Sequence, residues 1–92
     1  MKSKATIANV SVTLADTEYS YTLPDHTKKF TIKLRDIGAP LQICFVSGNS
    51  NTTYMNIGNG KSYTEDHIKG KGNILYFRST VADQVAEIIS WK

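Results

Sequence analysis

Apolar and polar residues alternate with period two along most of this chain, and turn residues interrupt the alternation at short intervals. That is the pattern of an antiparallel sandwich or barrel. It is clearest over 28–35, where Phe30, Ile32 and Leu34 point one way and Lys29, Thr31, Lys33 and Arg35 the other, as in a sheet with one wet face. Upstream, Val10, Val12 and Leu14 alternate with Ser11 and Thr13, and Tyr19, Tyr21 and Leu23 alternate with Ser20 and Thr22. Ala15-Asp16-Thr17 is expected to turn between these two strands, and Pro24-Asp25 fits the centre of a type I turn because proline presets φ. After the loop Asp36-Ile37-Gly38-Ala39-Pro40, the apolar run 42–46 predicts a central strand buried on both faces. Residues 53–57 and 61–64 flank Gly58-Asn59-Gly60, which reads as a hairpin. A glycine-rich break over 69–73, a strand over 74–79 and a last strand over 85–91 complete the chain.

The last segment also carries an apolar stripe at helical spacing, from Val81 through Val85 to Ile89. The β-branched Val85, Ile88 and Ile89, with Trp91, decide for strand. About eight short strands in 92 residues pack most economically as two sheets. The expected fold is therefore all-β, a compact antiparallel β-sandwich, jelly-roll-like or barrel-like, with its connections unspecified. Residues 1–5 read as a flexible basic N-terminus and 6–92 as one domain.

Composition agrees with a globular domain, at 40% hydrophobic and 21% charged residues. A chain this short has a thin core and gains from neighbours. Its single cysteine, Cys44, lies in an apolar run and is expected to be a buried, inert thiol. No apolar stretch approaches the length of a membrane span, and no secretory signal follows Met1-Lys2-Ser3-Lys4. The +3 net charge is concentrated in the first 35 residues, where Lys2, Lys4, Lys28, Lys29, Lys33 and Arg35 outnumber Asp16, Glu18 and Asp25. A surplus this small does not amount to the dense basic face of a nucleic-acid-binding domain.

Candidate chemistry is sparse. Glu65-Asp66-His67 gathers two carboxylates and an imidazole, but strand alternation puts Asp66 on the other side from Glu65 and His67. His26 and His67 do not make a zinc spacing with Cys44, so neither metal nor cofactor is expected. Gly58-Asn59-Gly60-Lys61-Ser62 ends like a phosphate loop, yet Met55 occupies the position of its first glycine. Five Tyr, three Phe and Trp91 are assigned mainly to core or subunit contacts, with carbohydrate recognition as the alternative. Candidate partner-binding residues are Lys29, Lys33 and Arg35 on the basic strand face, Asn49, Asn51 and Asn59 on loops, and Trp91.

The succession Asn9-Val10-Ser11-Val12-Thr13-Leu14, Glu18-Tyr19-Ser20-Tyr21-Thr22-Leu23-Pro24, Thr27-Lys28-Lys29-Phe30-Thr31-Ile32-Lys33-Leu34-Arg35, Gly60-Lys61-Ser62-Tyr63, Leu75-Tyr76-Phe77-Arg78-Ser79 and Val85-Ala86-Glu87-Ile88-Ile89-Ser90-Trp91 resembles small β-rich virion proteins of tailed bacteriophages. The likeness covers most of the chain. It is a pattern of strands and turns and carries no catalytic residue. It implies a structural part of the virion, of the capsid-decoration, head-fibre or tail-associated type, made in the host cytoplasm. Its partners would be other virion proteins and further copies of itself, with a cyclic trimer as the expected closed form. A surface glycan is the alternative partner; nucleic acid and membrane are not expected.

Overall fold

In a computed structural model, which describes residues 5–49, 52–66, 68 and 72–92, the alternating segments become eight strands. They are β1 (Ala5–Val12), β2 (Tyr19–Thr22), β3 (Lys29–Leu34), β4 (Leu41–Cys44), β5 (Met55–Ile57), β6 (Ser62–Glu65), β7 (Ile74–Arg78) and β8 (Gln84–Trp91). Two four-stranded sheets result, in the orders β1-β8-β3-β6 and β2-β7-β4-β5. Every pairing is antiparallel.

The order has a simple origin. β1 lies against β8, β2 against β7, β3 against β6 and β4 against β5. The chain is one long two-stranded ribbon, doubled back between β4 and β5 and then coiled, so that successive parts of the ribbon fall in alternate sheets. This is the jelly-roll, or double-stranded β-helix, form of the sandwich. β3·β8 and β4·β7 pairings close the coil.

The coil corrects two local expectations. Gly58 to Lys61 do turn tightly, with the Lys61 N–H donating to the Gly58 carbonyl (3.0 Å) and Gly60 at φ 71°. β5 and β6 nonetheless do not form a hairpin, because the turn carries the chain from one sheet to the other. A turn sets only a local reversal; here Tyr63 is drawn across to Phe30, ring centroids 6.1 Å apart, and β6 pairs with β3. The turn after β2 is also shifted. It spans Pro24 to Thr27, whose N–H and Oγ1 both donate to the Pro24 carbonyl (3.2 and 2.6 Å), and its third residue, His26, takes φ 67°.

Between the sheets lie Val12, Leu23, Phe30, Ile32, Leu34, Leu41, Ile43, Ile57, Leu75, Phe77, Ala86 and Ile88, all buried. β8 keeps strict alternation: Gln84, Ala86, Ile88 and Ser90 face inward, and Val85, Glu87, Ile89 and Trp91 are half-buried on the outside. Three further expectations change. β1 begins at Ala5, in register with Trp91, so that residue belongs to the sheet; residues 1–4 lie outside the described part. β1 ends at Val12, leaving Leu14 exposed. The run 42–46 does supply a strand interior to its sheet, but β4 stops at Cys44, and Phe45 and Val46 are 55% and 59% exposed. Their apolar character alone would have buried them; what prevents it is that the strand has already left the sandwich.

Candidate functional site

Strand register assembles the outer face of the first sheet into four rows. Ala5, Trp91 and Lys29 form one; Ile7, Ile89, Thr31 and Thr64 the next; Asn9, Glu87, Lys33 and Ser62 the third; Ser11, Val85 and Arg35 the last. Four of the candidate residues, Lys29, Lys33, Arg35 and Trp91, therefore share one face. It is a mixed surface, apolar towards β1 and polar towards β6.

Its charges are tied down. Glu87 Oε2 accepts from Arg35 Nε (2.8 Å) and Glu87 Oε1 lies 3.0 Å from Lys33 Nζ. Lys29 Nζ stands 5.0 Å from the centroid of the Trp91 ring, a cation–π contact that covers the indole. Thr31 and Thr64 join their hydroxyls at 2.8 Å across β3 and β6. The hydrogen bond from Arg35, followed by that from Lys33, holds the Glu87 carboxyl below the usual glutamate range. A depressed carboxyl contributes stability above its unfolded pKa and loses it as pH falls through the folded value. In an NMR titration, Glu87 should therefore titrate below the usual glutamate range, and Arg35→Gln should move it back towards that range. An unmoved Glu87 would dissolve the ion triad.

A shallow depression of about 270 Å³ runs between Ile7, Asn9, Thr31, Lys33, Glu87 and Ile89. A larger open cleft, about 550 Å³, lies at one end of the sandwich between Leu23, Phe30, Phe45, Glu65, Asn73 and Tyr76. Near it the Tyr63 hydroxyl donates to Glu65 Oε1 (2.8 Å). That bond, with burial and the carboxylate charge, raises the phenol's pKa, so it stays protonated and acts as a donor at neutral pH.

The loop candidates separate. Asn59 Nδ2 donates to the Gly38 carbonyl (3.3 Å) and ties the β5–β6 turn to the loop after β3, a structural task. Asn49 organises the β4–β5 loop: its carbonyl accepts the Thr52 and Thr53 N–H groups, and its own N–H reaches the Val46 carbonyl. Asn51 and His67 lie outside the described residues.

Sequence reasoning missed the surface beside Asn49. Phe45, Val46, Tyr54 and Met55 bracket the β4–β5 loop and are all exposed, Met55 at 53%. The available signal was the spacing: Gly48 and Asn49 follow so soon after Val46 that the strand had little room to stay inside. Ile7 was also missed, at 71% exposed on β1 beside Ile89.

No family model and no curated protein matches the chain. Among solved structures it is similar to the solution NMR structure of a de novo designed double-stranded β-helix. Identity is 16% over 97% of this chain and 99% of that one, with a TM-score of 0.57. The likeness establishes the fold alone, in agreement with the strand order.

Proposed function

We propose that this chain is a non-enzymatic structural protein of a phage virion, a capsid-decoration or head- or tail-associated component that acts through protein–protein contacts. The observation that carries the reading is the exposed apolar surface of the β4–β5 loop. Phe45, Val46, Tyr54 and Met55 are all left in solvent at the two ends of one loop, while the other exposed large apolar residues, Ile7, Leu14, Ile37 and Val81, lie elsewhere in the chain, and clustered exposed apolar side chains mark interaction sites. The jelly roll supports it as a fold used in capsid domains, and so does the strand-by-strand resemblance to phage virion proteins. The face of Lys29, Lys33 and Arg35 supplies a second, basic contact suited to an acidic capsid surface, with Glu87 offsetting part of its charge.

An antibody against the chain, applied to gradient-purified particles from a lysate in which the chain is made, tests this directly. Dense, regular labelling of particles is expected. Chain found wholly in the soluble fraction would overturn the reading.

One observation favours carbohydrate recognition as a second reading. Tyr54 and Phe45 are exposed aromatic rings flanking the loop that holds Asn49, Thr52 and Thr53, and sugars are bound by such ring platforms beside amide and hydroxyl groups. Trp91, lying under Lys29, is less suited to this. Glycan-array binding abolished by Tyr54→Ala, with unlabelled particles, would move the assignment there.

A further inference from the structure

Four strands form the edges of the two sheets: β1, β6, β2 and β5. β6 and β2 have four residues each and β5 three, whereas β1 has eight. Natural edge strands are kept from pairing by shortness, by lysine or proline, or by inward charges. β1, Ala5-Thr6-Ile7-Ala8-Asn9-Val10-Ser11-Val12, has none of these protections.

The direction of its open hydrogen-bonding groups follows from the sheet. The Arg35 N–H donates to the Val85 carbonyl (2.9 Å), so the odd-numbered residues of β8 turn their peptide groups to β3, and the even-numbered ones turn theirs to β1. In the β1·β8 register, Thr6, Ala8, Val10 and Val12 face those even residues. Ala5, Ile7, Asn9 and Ser11 therefore direct their N–H and C=O groups to the open edge. Their side chains are also the exposed ones on the outer face.

We propose that this edge is the seam of a two-fold homodimer, in which β1 pairs antiparallel with β1 of a second copy, centred on Ala8. The occupant is a second copy because the strand is complementary to itself about that residue. Centring on Ala8 sets Ala5 against Ser11, small against small, and Thr6 against Val10, β-branched against β-branched. Ala8 meets its own symmetry mate at a non-hydrogen-bonded position, where strands approach to about 4.5 Å and a small residue fits. Ile7 lies opposite Asn9 and diagonal to the other Ile7, within reach for an apolar contact. All the outward peptide groups of Ala5, Ile7, Asn9 and Ser11 find partners. No charge lies on either β1, and each Glu87 in the next strand is held by its own Lys33 and Arg35. The product is one continuous eight-stranded sheet with an isologous interface. The proposal stands apart from the virion reading and can fail without it.

Light-scattering-coupled size exclusion of the full chain should give twice the 10.2 kDa of one copy. Ile7→Lys, which places a gatekeeping lysine on the seam, should weaken association by about tenfold or more. Ala8→Cys should link two copies on mild oxidation, while Ser11→Cys, facing Ala5, should not. Hydrogen exchange on the unsubstituted chain needs no variant: the Ile7 and Asn9 amides should be protected. A single-copy mass at all concentrations would overturn the proposal. So would a trimer indifferent to Ile7→Lys, Ala8→Cys that does not cross-link, or open exchange at Ile7 and Asn9. In the trimer case the virion reading would survive; particles unlabelled by antibody would sink that reading and leave the dimer intact.

Discussion

Phe30→Ala should lower the free energy of unfolding by about 3–5 kcal/mol, the range for removing a buried phenylalanine. Phe30 has no exposed surface, lies near the start of β3 at the floor of the end cleft, and meets the Tyr63 ring at a tilt of 52°. Its removal withdraws the ring that brings β6 to β3, so the cavity opens at the junction of two ribbon turns, where relaxation is limited. A domain of this size has about 5–14 kcal/mol in total, and the variant should stand near the edge of folding. Urea denaturation followed by tryptophan fluorescence reads the midpoint, since Trp91 lies across from Lys29 on the adjoining strand. Lys33→Ala, three residues along the same strand but on its wet face, should stay within about 0.5 kcal/mol. A loss below about 1 kcal/mol for Phe30→Ala would mean that the ring is not in the core.

That contrast on one strand shows what could be read without coordinates. Over 29–34 the alternation assigns every side chain to its face, because period two is imposed by the pleat itself. The same rule put Lys29, Lys33 and Arg35 on one face of their strand, and β-branched residues decided β8 against a competing helical stripe; Trp91 joins the three cations only through the β3·β8 register. Alternation carries no information about which strands meet. Gly58-Asn59-Gly60 specifies a reversal, and whether the next strand pairs locally or crosses to the other sheet is decided by distant residues, here Phe30 for Tyr63. The basic candidates were legible for the same reason the strand was. Glu87, which fixes two of them, was not, since its position opposite Lys33 depends on the β3·β8 register. Phe45 and Val46 failed in the opposite sense: an apolar run implies burial only while the strand remains between sheets.

On the proposed virion role, replacing both Phe45 and Met55 with Asp should remove the chain from particles, with bound chain falling by at least about 30-fold while the fold persists. Ile43 and Met55 are opposite one another across β4 and β5, and Phe45 follows two residues after Ile43, so the two substitutions strike neighbouring positions at one end of the hairpin. Both side chains are more than half exposed, so their loss leaves no sealed core cavity, and the melting transition should shift little. At an interface the balance reverses. Large apolar anchors at the centre of a contact are worth about 2 kcal/mol or more each, and a carboxylate put in their place must be desolvated against whatever covers them. One anchor of that size alone gives the stated factor. Antibody labelling of purified particles, with each variant supplied in place of the native chain, checks the result. Undiminished labelling would free the β4–β5 loop of any structural task and shift attention to the Lys29, Lys33 and Arg35 face.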